Sequence, residues 1–165
     1  MKFQYDINSM VENKKRLKIA FGTDHGGFAL KTQLINALKQ DGLIEIIDLG
    51  CFTNDSVDYP DYAAKVCQAL QNQEVNFGVL VCTTGIGMSI AANKYFGIRA
   101  ALCLNEDSAS FSRKHNDANV LVLSGKYTNF NSAYKILNVF LQTQFTEEMR
   151  HCNRILKLEI NHVGS

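Results

Sequence analysis

The residues of this chain best suited to chemistry lie in one short loop. Cys82 follows the apolar run of residues 79–81, and a turn that contains Gly85 and Gly87 follows Cys82. This order is typical of a strand, a loop and then a helix. Such a turn points several backbone N–H groups at one place, which suits a phosphate or an enolate-like oxyanion. The same dipoles stabilise a thiolate, so the sequence predicts an active-site loop with Cys82 as its reactive group.

The residues alone also allow other interpretations of this loop. A cysteine that ends a core strand is often a small buried hydrophobe. No Gly-Lys-Ser/Thr follows the glycines, as a Walker A motif would require. A dinucleotide fingerprint would follow the first strand, with an acid about 20 residues later. Gly85 and Gly87 favour the catalytic interpretation, because glycine permits a close backbone approach.

Asp24 and His25 form a second pair of candidates at the end of the first apolar run. The pair alone is weakly specific, because an aspartate before two glycines also suits a helix cap. Its predicted place at the end of the first strand, next to the Cys82 loop, favours a functional role.

Two further pairs of polar residues lie near predicted helix ends. His115 and Asn116 are suitable types for proton transfer and oxyanion contact, although Asn116 also suits a left-handed helix C-cap. Arg150 and Arg154 are four residues apart, hence on one helical face. They could be a solvated surface, but an anion such as phosphate would fit between two guanidinium groups.

Strands and helices alternate along the chain, which predicts an α/β fold. We expect a single Rossmann-like domain over residues 17–160, a three-layer sandwich with a five-stranded parallel sheet. An order of 2-1-3-4-5 would make strands 1 and 3 neighbours and bring residues 23–27 and 82–85 together. The predicted strands are residues 17–21, 43–49, 78–82, 99–104 and 120–123. The predicted helices run from about 28 to 42, 59–70, from the Cys82 loop to 93, 107–115, 131–142 and 147–160.

Composition excludes several classes of protein. Of 165 residues, 46% are apolar and 20% charged, and the net charge is +1 without a basic block, so we expect neither a nucleic-acid nor a membrane partner. Five scattered cysteines indicate no disulfide framework and fit a reducing cytoplasm. The four histidines lack ligand spacing, so no metal is expected. Residues 1–16 are predicted to be a polar extension and 161–165 a tail.

Six ordered segments carry a resemblance to type B ribose 5-phosphate isomerases, whose superfamily also contains the galactose 6-phosphate isomerase subunits. The resemblance covers about residues 17–160. The matching segments are residues 23–28, 57–60, 82–94, 97–100, 112–117 and 150–154.

This resemblance implies an aldose–ketose isomerase of the cysteine subtype. Cys82 would be the base that moves a proton between C1 and C2 of the sugar phosphate. Asp24 and His115 would open the sugar ring, and Asn116 and Thr84 would contact the enediolate. The enediolate would also be stabilised by backbone amides, those of Gly85, Ile86, Gly87, Met88 and Ser89. No metal or organic cofactor is implied, because the proton returns to the neighbouring carbon.

The resemblance also implies which residues bind the phosphate and how the chains assemble. His25, Arg150 and Arg154 match phosphate-binding residues, and Tyr59 matches an aromatic residue that lines the sugar site. Lys126 stands where an arginine usually helps to hold phosphate, and lysine loses the bidentate fork. In the family the His115-type helix reaches the partner's site, so the implied unit is a homodimer, sometimes paired into a tetramer.

Thr83 is a second departure, because the family loop usually has glycine there. We expect Thr83 to adopt an ordinary backbone conformation, since a β-branched residue at positive φ would be strained.

The expected reaction is interconversion of D-ribose 5-phosphate and D-ribulose 5-phosphate in the pentose phosphate pathway. An allose or galactose 6-phosphate isomerase and a non-catalytic phosphosugar-binding module remain as alternatives. A flavodoxin-like or dinucleotide-binding protein would follow from fold class alone.

Overall fold

The computed structural model of the protein describes residues 16–40, 42 and 44–160. The strands are β1 (Leu17–Thr23), β2 (Ile44–Asp48), β3 (Phe77–Cys82), β4 (Ala100–Leu102) and β5 (Val120–Ser124). The helices are α1 (Phe28–Lys39), α2 (Tyr59–Gln71), α3 (Ile86–Ala92), α4 (Glu106–Asn116), α5 (Phe130–Gln142) and α6 (Met149–Ile160). A 3₁₀ turn, His25–Gly27, precedes α1. Residues 1–15 of the predicted extension and the 161–165 tail lie outside the described residues.

The five strands form one parallel sheet in the order β2-β1-β3-β5-β4. The predicted contact between β1 and β3 is confirmed, with Thr23 opposite Val81. The predicted order was wrong at the far side, where β5 lies between β3 and β4. All five residues of β5 are buried, whereas the three residues of β4 are half-buried. The more apolar strand takes the interior place because an interior parallel strand is covered on both faces.

Two apolar layers cover the sheet and confirm the three-layer sandwich. Side chains alternate along each strand, so Val79 and Val81 point to one layer and Leu80 to the other. The first layer contains α1, α4 and α5, and the second contains α2 and α3. No helix within the described residues is long and apolar enough to span a bilayer.

Candidate active site

The Cys82 loop begins at the carboxyl end of β3 and closes around the sulfur. Cys82 is 4% exposed, and its Sγ accepts the Gly85 N–H at 3.1 Å. Gly85 has φ +81°, a left-handed conformation that favours glycine, and it leads directly into α3. The Ile86 N–H donates to Thr84 Oγ1 at 3.3 Å. The loop therefore directs one backbone donor, the Gly85 amide, at the sulfur.

The first turn of α3 contains the remaining amides that sequence analysis singled out. The Ser89 N–H donates to the Gly85 carbonyl at 3.1 Å, so it is already used within the helix. Helix geometry gives the amides of Gly87 and Met88 no partner inside α3. These two donors are the better placed to meet an oxyanion.

The β1 loop meets the Cys82 loop, as the sequence predicts. Thr23 Oγ1 donates to the Val81 carbonyl at 2.7 Å, and the Asp24 N–H donates to the same carbonyl at 3.3 Å. A side chain at Gly26 would overlap the Thr83 hydroxyl, so the two loops are in contact. Thr83 is not among the described residues with positive φ, which confirms its expected ordinary conformation.

Asp24 and His25 occupy different environments at the carboxyl edge of the sheet, which is the side where the parallel strands end. Asp24 is 6% exposed, and its carboxylate accepts the Gly27 N–H at 3.1 Å. Asp24 therefore does cap the turn before α1, and this cap holds the carboxyl in a fixed place. His25 is exposed, and its Nδ1 accepts the Val57 N–H at 3.4 Å.

A third loop, after β5, completes the carboxyl edge. Ser124 lies opposite Cys82 in the sheet, and its hydroxyl donates to the Thr83 carbonyl at 2.8 Å. The Lys126 N–H donates to the same carbonyl at 3.0 Å, while the Lys126 side chain is exposed. The turn between them is in contact with the backbone of Gly26.

Tyr59 at the start of α2 lies against the first turn of α3. A Cβ added at Gly87 would come within 2.8 Å of the Tyr59 ring, so glycine at this position makes room for the ring. Tyr59 is 37% exposed. Part of the Tyr59 side chain is therefore accessible beside the first turn that follows the Cys82 loop.

His115 and Asn116 lie at the amino edge of the sheet, which is the side where the parallel strands begin. The Asn116 carbonyl accepts Nε of Arg99, the residue before β4, at 3.1 Å. The Arg99 N–H donates at 2.8 Å to Asn119, the residue before β5. Ser124, at the other end of β5, lies opposite Cys82 in the sheet. The strand rises about 17 Å between Asn119 and Ser124. A single chain therefore does not bring His115 and Asn116 to Cys82.

The start of α6 packs against the end of α4 at this amino edge. The rings of His115 and His151 stack with centroids 4.3 Å apart and an interplanar angle of 11°. His151 is 3% exposed, and its Nε2 has no hydrogen-bond partner among the described residues. Arg150 is exposed and pairs with Glu148 at 2.9 Å, and Arg154 is exposed one turn further on. His115, Asn116 and both arginines therefore belong to one region.

Asp117, which the sequence analysis did not single out, organises this region. Asp117, not Asn116 as expected, is the left-handed C-cap of α4, with φ +44°. Its carboxylate pairs with Arg99 at 2.9 Å and with Arg113 at 2.7 Å. An aspartate tolerates the left-handed conformation, and here both guanidinium groups hold it there. The signal in the sequence was an acid after a basic helix end.

The described residues contain no group of three or more His, Cys, Asp or Glu side chains placed to hold a metal ion. The chain also matches a known family over most of its length. The ribose/galactose isomerase family profile matches residues 19–158. The chain belongs to this family.

Relatives in the ribose/galactose isomerase family match most of the chain. Ribose-5-phosphate isomerase B of Escherichia coli is 44% identical over 138 residues, which are 84% of this chain and 91% of that protein. A putative sugar phosphate isomerase of Rickettsia bellii is 43% identical over 145 residues, covering 88% and 99%. The expected family and the expected fold are thereby confirmed.

Solved structures give the same result. A ribose 5-phosphate isomerase from Thermotoga maritima superposes with a TM-score of 0.86 at 49% identity, covering 88% of this chain and 99% of that one. Ribose-5-phosphate isomerase B from Clostridium thermocellum gives a TM-score of 0.87 at 43% identity, covering 90% and 100%.

The stacked His151 makes the stability of this chain depend on pH. Desolvation, His115 and Arg150 lower the pKa of His151 below 6.5, so the folded state favours the neutral ring. The unfolded chain therefore binds more protons as the pH falls through about 6.5, and stability present above that pH is lost on acidification. We expect the urea midpoint to fall from about pH 7 to about pH 5.

His151→Phe is the matched variant, since it keeps an aromatic ring against His115 and removes the titrating group. Its urea midpoint should change less between these two pH values than that of the wild type. Equal changes in both proteins would contradict the assignment to His151.

Proposed function

We propose that this protein is an aldose–ketose isomerase that interconverts D-ribose 5-phosphate and D-ribulose 5-phosphate through a cis-enediolate. The observation that carries the proposal is the buried Cys82 sulfur, held by the Gly85 amide at 3.1 Å in a loop of backbone donors. Family membership and relatives named as ribose 5-phosphate isomerases support the substrate.

The chemistry needs one base and a stabilised oxyanion. Cys82 takes the proton from C2 of the open-chain aldose and returns it to C1, while the hydroxyl proton of O2 passes to O1. Carbon acids are weak, so the negative charge that develops on the enediolate must be stabilised. Thr84, the free first-turn amides of Gly87 and Met88, and Asn116 are suited to this. No electrons leave the substrate.

Ring opening and phosphate binding are assigned to the remaining residues. Asp24 and His115 exchange protons with the anomeric hydroxyl and the ring oxygen. The phosphate is bound by the side chains of His25, Lys126, Arg150 and Arg154. The accessible part of the Tyr59 ring packs against the sugar, for which an apolar aromatic surface is suited.

The complete site requires two copies of the chain. Cys82 and Asp24 lie at the carboxyl edge of the sheet, and His115 lies at the amino edge, separated from them by the length of β5, about 17 Å. In a homodimer, the amino edge of one copy could meet the carboxyl edge of the other. This arrangement would bring Cys82 and Asp24 of one copy to His115 of the other, and the two-fold axis would produce two such sites. Exposed apolar side chains on α3, α4 and α6 support such an interface; these are Ile86, Ile90, Phe111, Met149 and Leu156.

The cellular setting follows from the same chemistry. All five cysteines are free, which fits the reducing cytoplasm where the pentose phosphate pathway operates. Allose or galactose 6-phosphate is an alternative substrate. A binding module without catalysis is favoured only by Thr83 and Lys126, the two departures from the family pattern.

Cys82→Ala should abolish isomerisation and leave sugar-phosphate binding largely intact, because the thiol transfers the proton and the loop amides bind. Ribose 5-phosphate, allose 6-phosphate and galactose 6-phosphate are assayed in buffer with a chelator, and binding is measured by calorimetry. Wild-type turnover of only a hexose phosphate would correct the substrate. A wild type that binds tightly and turns over none of the three would make the protein a binding module.

Mixing two inactive variants tests the shared site. Cys82→Ala and His115→Asn each disable one edge, so a mixed dimer has one site with both native residues. Random reassortment of equal amounts should recover about one quarter of wild-type activity, because half of the dimers are mixed and each has one working site. If the mixture stays inactive although mass spectrometry detects mixed dimers, each site is built from one chain.

Lys126→Arg should lower the KM for the sugar phosphate a few-fold with little change in kcat. The guanidinium group offers two parallel donors to a phosphate, whereas the ammonium acts as a point charge. Lys126→Gln serves as the control and should raise KM. An unchanged or higher KM in Lys126→Arg would remove Lys126 from the phosphate site.

A further inference from the structure

Lys31 on α1 is the one buried lysine among the residues that the structure describes. Its side chain is 1% exposed. Its Nζ donates to Asp48 Oδ1 at 2.6 Å and to the Cys51 carbonyl at 2.8 Å. The ring centroids of Phe28 and Phe52 lie 5.5 and 5.0 Å from Nζ. Removing an ammonium group from water is costly, and these partners offset that cost.

The two polar partners of Lys31 lie at the end of β2 and in the loop after it, residues 48–51, and this segment is attached to the end of β1. Asp48 Oδ1 also accepts the Gly50 N–H at 3.1 Å. The Gly50 carbonyl accepts the Thr23 N–H at 2.7 Å, and the Cys51 N–H donates to the Thr23 carbonyl at 2.8 Å. Thr23 immediately precedes Asp24. The segment that Lys31 organises therefore holds the backbone that carries the Asp24 carboxyl.

The charges of Lys31 and Asp24 both act on the Cys51 thiol, which lies in the same segment. Burial raises the pKa of the Cys51 thiol, the Lys31 charge lowers it and the Asp24 charge raises it. Both charged groups therefore lie within interaction range of the same sulfur.

We propose that Lys31 is a positioning residue for ring opening: through Asp48 and the Cys51 carbonyl it fixes residues 48–51 against Thr23 and so places the Asp24 carboxyl. This inference rests on the proposed function, in which Asp24 acts on the ring and Cys82 on the carbon-bound proton. In ring opening the anomeric hydroxyl loses its proton, the bond between C1 and the ring oxygen breaks, and that oxygen gains a proton. Lys31 touches none of these atoms.

Lys31→Met keeps the length of the stem and removes the charge. We expect kcat for ribose 5-phosphate to fall on the order of 100-fold, because a small displacement of a catalytic group has effects of this size. Leu34→Ala is the control, since Leu34 is fully buried one turn further along α1 and does not contact the 48–51 segment through hydrogen bonds. This control should lower the urea midpoint and keep kcat.

The double variant Lys31→Met with Asp48→Asn separates positioning from simple stability. It leaves no unpaired buried charge, and the side-chain amide oxygen that replaces the carboxylate can still accept the Gly50 N–H, so the urea midpoint should recover. The kcat should stay low, because the contact with the Cys51 carbonyl is still missing. Recovery of kcat together with stability would overturn the proposal.

A second readout separates the two chemical steps. Exchange of the C1 proton of D-ribulose 5-phosphate with D₂O needs Cys82 but no ring, so NMR should show this exchange within a few-fold of wild type in Lys31→Met. Equal loss of exchange and isomerisation, or loss of neither, overturns the proposal. If the wild type transfers the proton without exchange with solvent, the kcat of the double variant Lys31→Met with Asp48→Asn tests the proposal instead. A wild type inactive on every sugar phosphate would overturn the proposed function itself.

Discussion

Parallel pairing of β1, β3 and β5 is the constraint on which the rest of the structure depends. It places the carboxyl ends of all three strands at one edge, where Thr23 lies opposite Val81 and Cys82 opposite Ser124. Loops far apart in the sequence therefore share hydrogen bonds at that edge. The same constraint sends the end of every crossover helix to the other edge, which is why the end of α4 cannot reach Cys82 within its own chain.

Buried or half-buried charges fix a turn at each of the two edges. At the carboxyl edge Lys31 holds residues 48–51, at the end of β2 and in the loop after it, and at the amino edge Asp117 is held between Arg99 and Arg113. Both clusters lie beside candidate site residues without forming the reacting group. Such clusters contribute less to the stability of the fold than their short contacts suggest, since the cost of desolvation opposes the attraction.

Much of the fold and half of the candidate site could be predicted from the sequence. The alternation of apolar runs predicts the parallel sheet, and the rule that ligands bind at the carboxyl ends of strands brings Asp24 and Cys82 together. The order of β4 and β5 could not be predicted, because two short apolar strands compete for one interior place and only packing decides. The role of Lys31 was also hidden, since lysine on an amphipathic helix normally faces water.

The division of the candidate site between two edges has an evolutionary consequence. If the site is shared between copies, every chain contributes one edge to each of two sites, and a single gene must preserve both edges. After a gene duplication that requirement relaxes. One daughter chain can keep the Cys82 edge and the other the His115 edge, and their heterodimer still contains one whole site. An obligate two-gene enzyme can thus arise from this architecture by loss alone, without any new residue.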